Sequence, residues 1–278
     1  MRIEDGTEPM KIPLLGFKPL IGVIHLPPTP SSPRGYGNID RIVDYVVNEV
    51  DKLEEAGFDA AIIENYGDKP FSVEAYDEIL AAVLSVVVRE AVKSTKLPVG
   101  INVLRNNARL ALAIAYATGA KFVRINAYCE TRLSPEGVLM PLARDIEQIR
   151  KQLDRNILVL ADIDVKHSYP IGQHSIGIVV NDCVERGYMD AIIASGQATT
   201  RPPEPGYVAF IKRNSPKPVL LGSGLRVDNI QLYWNIVDGF IVGSSIKYEG
   251  RTSNSIDPQK ARELAIVVDE LRRRTLNV

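Results

Sequence analysis

Short apolar runs recur along the chain, each closed by a glycine, a proline or a polar residue. They begin near Leu20, Asp59, Pro98, Phe122, Ile157, Asp190, Pro218 and Asp238. Between them, apolar positions fall at helical spacing, as in Ile42-Val43-Val46-Val47-Val50-Leu53 and Leu110-Leu112-Ala113-Ala117. Three of these segments end in the same punctuation before the next run: Ala56-Gly57-Phe58-Asp59, Thr118-Gly119-Ala120-Lys121 and Arg186-Gly187-Tyr188-Met189-Asp190. Glycine just past a helix end takes the left-handed conformation at little cost. Runs this short and this uniformly apolar suit strands buried on both faces of a parallel sheet. Eight strands alternating with about eight helices predict a single-domain α/β fold, a (β/α)8 TIM barrel, over residues 20–278. Residues 1–19 are polar and punctuated by glycine and proline, and form a short N-terminal extension outside the repeat. A doubly wound open sheet is the competing arrangement, but no glycine-rich dinucleotide fingerprint follows the first strand.

Composition narrows the picture by exclusion. The 278 residues carry 33 basic and 34 acidic side chains, so no nucleic-acid-binding face is expected. No apolar run approaches the roughly 20 residues of a membrane span. The N-terminus lacks the apolar core of a secretory signal. Cys129 and Cys183 show no ligand spacing for zinc and are expected to pack as small apolar groups in a reducing compartment. A cytoplasmic protein is the resulting expectation. Barrels of this size commonly pair through their helices, so a homo-oligomer is expected as well.

The ends of the strands carry the chemistry. In a barrel, polar residues at the C-terminal strand ends converge on one mouth. In chain order those ends deliver His25; Glu64 and Asn65; Asn102 and Arg105; Arg124 and Asn126; Asp162, Asp164, Lys166 and His167; and Ser195. Thr199 and Thr200 follow the sixth. Apolar strands that repeatedly finish in ionisable or amide groups are poorly explained by core packing alone. If the fifth strand stays extended, Asp162, Asp164 and Lys166 share one face. Crowded carboxylates raise one pKa while an ammonium nearby stabilises the other as the anion. Such a set, faced by His25 and Glu64, suits proton shuttling beside a carbonyl. It also suits a divalent metal held by His25, Glu64 and Asp162. The bland alternative is an ion-paired rim. Arg105 and Arg124 either clamp a carboxylate or second phosphate or close that rim with salt bridges.

The last two strands end differently. Val219–Leu221 leads into Gly222-Ser223-Gly224, and Gly239–Val242 into Gly243-Ser244-Ser245. Two glycine–serine turns after the final strands of a barrel are where backbone N–H groups gather around a phosphate. The alternative is a pair of tight turns that hold nothing.

The strings GVIHLPPTPSSP, ENYGDKPF, VGINVLRNN, FVRIN, ADIDVKHS, SGQATTRPP, LLGSGL and DGFIVGSSIK occur in the order seen in the BtpA family, which the chain resembles from Phe17 to about Lys247. That family is named for a cyanobacterial protein linked to photosystem I biogenesis, and its members are similar to phosphate-binding TIM barrels. The resemblance places family motifs on His25, on Glu64 to Asp68, on Asn102, Arg105, Asn106, Asn126, Asp162, Lys166 and His167, and on both glycine–serine turns. The chain departs from the pattern at Asn107, usually aspartate, at Thr200, usually glycine, and at Tyr128-Cys129-Glu130, which replaces a smaller turn. The expectation is an enzyme acting on a small phosphorylated metabolite, a sugar phosphate or nucleoside phosphate, by isomerase, lyase or glycosidic-cleavage chemistry. The alternative is a non-catalytic assembly or stabilisation factor that uses the barrel as a scaffold.

Overall fold

The protein is described by a computed structural model covering residues 10–35, 37–73, 77–153, 156–172, 175–196 and 202–277. Eight parallel strands close into a barrel. They are β1 (Leu20–His25), β2 (Ala60–Glu64), β3 (Val99–Asn102), β4 (Phe122–Ile125), β7 (Leu158–Ile163), β9 (Ala191–Ala194), β10 (Val219–Leu221) and β11 (Gly239–Val242). Their order around the ring is β1-β11-β10-β9-β7-β4-β3-β2. All eight start within a residue of the positions that the apolar runs predict.

The helices alternate with them: α1 (Ile39–Ala56), α2 (Glu78–Ser94), α3 (Ala108–Thr118), α4 (Ala143–Gln152), α5 (Ile176–Gly187), α6 (Pro205–Arg213), α7 (Ile230–Tyr233) and α8 (Pro258–Leu276). Local chemistry sets their ends. Asn38, Asp77 and Asp257 accept backbone N–H bonds at the starts of α1, α2 and α8. Gly57 and Gly119 end α1 and α3 in the left-handed conformation. The third expected stop is different: Gly187 is the last residue of α5, and Tyr188 takes the left-handed position at φ 60°. No helix among the described residues is long and apolar enough to cross a membrane.

Period-two alternation sorts each strand into an outward residue set beneath the helices and an inward set. The inward set packs as Ile21, Val23, Ala60, Ile62, Phe122, Leu158, Leu160, Ala191, Ile193, Leu220 and Ile241. Gly100 leaves room for a neighbour: a Cβ there would lie 2.1 Å from the Phe122 ring. The N-terminal extension is not merely appended. Ile12 and Leu15 are buried in this same interior cluster. Lys18 donates to the carbonyls of Trp234 and Val237.

One feature departs from the repeat. β5 (Arg132–Ser134), β6 (Gly137–Leu139) and β8 (Tyr169–Pro170) form a small antiparallel sheet outside the ring. Leu139 seats it on Ala127 and Val165, just beyond the ends of β4 and β7. Strands of two or three residues with mixed polarity give no periodicity to detect.

The cysteines correct a second expectation. Cys129, just past β4, and Cys183, on α5, are joined as a disulfide with Cα atoms 5.5 Å apart. The fold brings the β4 loop onto α5, which their sequence separation of 54 conceals.

Candidate active site

The inward parity that fills the barrel with aliphatic side chains continues to the strand ends and becomes polar there. Ile21 and Val23 lead to His25, Ala60 and Ile62 to Glu64, and Gly100 to Asn102. Phe122 leads to Arg124 and Asn126, Leu158 and Leu160 to Asp162, and Ala191 and Ile193 to Ser195. Strand register sets His25 opposite Glu64, and Glu64 opposite Asn102.

A buried ionic network joins these groups. The Arg124 guanidinium donates to both oxygens of Asp162, Nε to Oδ2 at 2.8 Å and Nη2 to Oδ1 at 2.9 Å. Its Nη1 reaches Glu64 Oε1 at 3.2 Å. Asn126 and Ser195 complete the Asp162 carboxylate at 2.9 and 2.7 Å, and Asn102 donates to Glu64 Oε1 at 3.0 Å. Burial alone would push both carboxyls up. Arg124 and the hydrogen bonds outweigh it and hold both below their usual values, with His25 and Lys166 contributing at Glu64. Arg124, disfavoured as a cation by burial, is held charged by the same two carboxylates.

Above this floor lies a cavity of about 490 Å³, a volume within the range typical of small-molecule sites. Its wall includes His25, Glu64, Asn102, Arg105, Arg124, Asn126, Lys166 and His167. Gly222, Ser223, Gly224, Gly243 and Ser244 complete it from the β10 and β11 side. Glu64 Oε2 lies 3.7 Å from His25 Nε2, and His25 Nδ1 is 3.1 Å from the Thr252 carbonyl. A carbonyl only accepts, so Nδ1 carries the proton and Nε2 of the neutral ring is an acceptor. Burial lowers the His25 pKa to about 3, against the raising influence of Glu64, so the ring is neutral near pH 7. Two acceptors 3.7 Å apart therefore face the cavity and suit a hydroxyl or an N–H between them.

Lys166 stands apart from the network. Among the described residues no acceptor lies within hydrogen-bond distance of its amine, although its carbonyl accepts from Arg105 Nη2 at 2.8 Å. Burial first, and then Arg124, lower its pKa to about 8, against Glu64 and Asp162. His167, half-open to solvent, is lowered by burial and by the same lysine.

On the opposite side of the mouth the wall is backbone. Gly222 N–H is spent on the Ala194 carbonyl at 2.9 Å, while those of Gly224 and Ser244 have no acceptor among the described residues. Gly224 sits at φ 68°, where a side chain would be strained. A Cβ on Gly243 would come 3.3 Å from the His25 ring.

Several expected site residues are placed elsewhere. The strand ends at Ile163, and Asp164 turns away at φ 53°, pairing with Arg132 at 2.7 Å and accepting from Tyr207 at 3.0 Å. It does not share a face with Asp162. Asp162, 1% exposed, is not among the residues that line the cavity. Arg124 lines the cavity but spends three of its five N–H donors on Asp162 and Glu64. Asn65 braces the β2 loop, donating to Asp68 and to the Leu104 carbonyl and accepting from Leu104 N–H. Ser195 serves Asp162. Ser245 opens into a separate recess with Arg226 and Lys260. Of the three groups considered for a metal, Asp162 has both oxygens hydrogen-bonded, to Arg124, Asn126 and Ser195. No cluster of three or more His, Cys, Asp or Glu suited to a metal occurs among the described residues. Thr199 and Thr200 fall outside those residues. Sequence reasoning missed Glu136 and Thr252. Glu136, on the turn of the small sheet, lies 3.8 Å from Arg105 Nε. Thr252 acts through its carbonyl, which no side-chain pattern announces.

The model of the BtpA family matches residues 17–270. An uncharacterized protein of Pyrococcus horikoshii is 42% identical over 92% of this chain and 97% of its own. The photosystem I biogenesis protein BtpA of Synechocystis is 38% identical over 86% and 84%. Among solved structures, N-(5'-phosphoribosyl)anthranilate isomerase from Pyrococcus furiosus aligns with a TM-score of 0.56 at 13% identity, covering 91% of this chain and 99% of its own. A tryptophan synthase alpha-subunit from the same organism gives 0.56 at 15%, over 92% and 98%. At such identities these two likenesses speak to the barrel fold alone.

Proposed function

This chain belongs to the BtpA family, and on that premise we propose that it is an enzyme acting on a small phosphorylated metabolite. The observation that carries the reading is a single cavity in which uncommitted backbone amides at Gly224 and Ser244 share a wall with an unpaired amine and a free carboxylate oxygen. The phosphate is anchored by the turns after β10 and β11, where N–H donors meet an anion without the steric cost of side chains. The reacting end extends toward Lys166, Glu64 and His25. Near neutral pH, Glu64 is ionised and His25 neutral, so both accept protons, and Lys166 is the proton-rich partner. The buried Arg124–Asp162 pair keeps Glu64 charged and in place. A scaffold has no use for an open cavity lined by unpaired reactive groups, and this supports catalysis over an assembly role.

A thermal-shift series with inorganic phosphate, sugar phosphates and nucleotides tests the anchor. A ligand at 100 times its dissociation constant adds about 2.7 kcal/mol of stability. Gly224→Val and Gly243→Val reduce that gain while the variants remain folded. Equal stabilisation of wild type and both variants would refute the phosphate site.

A further inference from the structure

We propose that Lys166 is a covalent catalyst, forming a Schiff base with the carbonyl carbon of a phosphorylated aldehyde or ketone. The proposal deepens the reading above, because the phosphate turns would deliver that carbonyl.

The grounds are geometric. Lys166 lines the cavity shared with Gly222 to Gly224 and Gly243. Its amine has no hydrogen-bond acceptor and no ion-pair partner among the described residues, whereas every ionic group of the floor is engaged. The backbone is held from behind by Arg105, whose Nη2 donates to the Lys166 carbonyl at 2.8 Å, so the side chain has a fixed origin. Burial first, and then the positive neighbours Arg124 and Arg105, lower its pKa to about 8 against Glu64 and Asp162, so that a nucleophilic free-amine fraction is accessible near neutral pH. Glu64 Oε2, unclaimed by Arg124 or Asn102, supplies a proton carrier on the same wall.

The step balances without any further reagent. The amine lone pair attacks the carbonyl carbon, forming the C–N bond as the C=O π electrons move to oxygen. Glu64 takes a proton from nitrogen and returns it to that oxygen. A second proton, from solvent, lets the oxygen leave as water, giving the protonated imine. The imine then acts as an electron sink for cleavage or proton removal at the adjacent carbon, and hydrolysis regenerates the amine.

Trapping with sodium borohydride tests it, using dihydroxyacetone phosphate and glyceraldehyde 3-phosphate as probes and peptide mass mapping as the readout. The expected result is one reduced adduct per chain, on Lys166, at least tenfold faster than with unphosphorylated glyceraldehyde. Lys166→Arg and Lys166→Ala lose the adduct while inorganic phosphate still stabilises them, which shows that they are folded. A wild-type protein that phosphate stabilises but that gives no adduct on Lys166, or adducts scattered over surface lysines, overturns the proposal and leaves the anchor standing. If phosphate fails to stabilise the protein, the anchor falls instead. The lysine is then judged by glyceraldehyde alone: an adduct confined to Lys166 upholds it, and any other pattern overturns it.

Discussion

The N-terminal end and the mouth of the barrel each hold a lysine whose pKa burial lowers from 10.5 to about 8. At the N-terminal end, Lys18 is 3% exposed, donates to the carbonyls of Trp234 and Val237, and sits over the Trp234 ring. At the mouth, Lys166 has no such partners and faces a cavity. Lys247, buried near the β11 end and also at about 8, donates to the Asn254 carbonyl and resembles Lys18. A perturbed pKa alone therefore does not mark a reactive group. The distinction lies in whether the structure has already used the donor.

The largest expected effect sharpens the boundary between the two regions. Asp162→Ala leaves the Arg124 guanidinium buried with only Glu64 for a partner, and should destabilise the protein by roughly 3–5 kcal/mol, measured by urea unfolding. A loss below about 1 kcal/mol would mean that the network is slack and that Arg124 is free to serve a ligand. Next in size is a direct contrast. Lys18→Met strands two buried carbonyls and should cost about 1–3 kcal/mol. Lys166→Met removes a desolvated amine with no bonds, and should change stability by no more than about 0.5 kcal/mol or increase it. Equal losses would erase the distinction between structural and functional lysines.

The smallest effect is a fraction of a proton. Each of the three lysines titrates lower in the folded chain than in the unfolded one. Between about pH 8 and 10.5 the unfolded state thus binds more protons, and stability rises with pH across that window. A phosphate anion in the cavity that Lys166 lines favours its ammonium, so binding at pH 8 should take up less than one proton. Calorimetry in buffers of different ionisation enthalpy reads this uptake, which should vanish in Lys166→Met and persist in Lys18→Met.

Much of the site was legible because strand parity is a local property. Once Val23, Ile62, Leu160 and Ile193 are known to face inward, His25, Glu64, Asp162 and Ser195 follow at the next positions of the same parity. Parity fails where the strand fails. Asp164 has the right spacing from Asp162, but the backbone turns at φ 53° and carries it to Arg132 and Tyr207. The role of Arg124 was left open by sequence, since clamp and rim use the same guanidinium. Only the positions of Asp162 and Glu64 decide between them.

The sequence by itself determined the barrel, the start of each strand and the two glycine–serine turns, because apolar periodicity and glycine conformational freedom act within a few residues. Tertiary structure alone decided which ionisable groups neutralise one another and which remain available. It joined Cys129 to Cys183, seated Ile12 and Leu15 in the barrel interior, and built the small sheet that brings Glu136 to the cavity. The reason is that desolvation and ion pairing depend on distances between strands far apart in the chain, which no local pattern encodes.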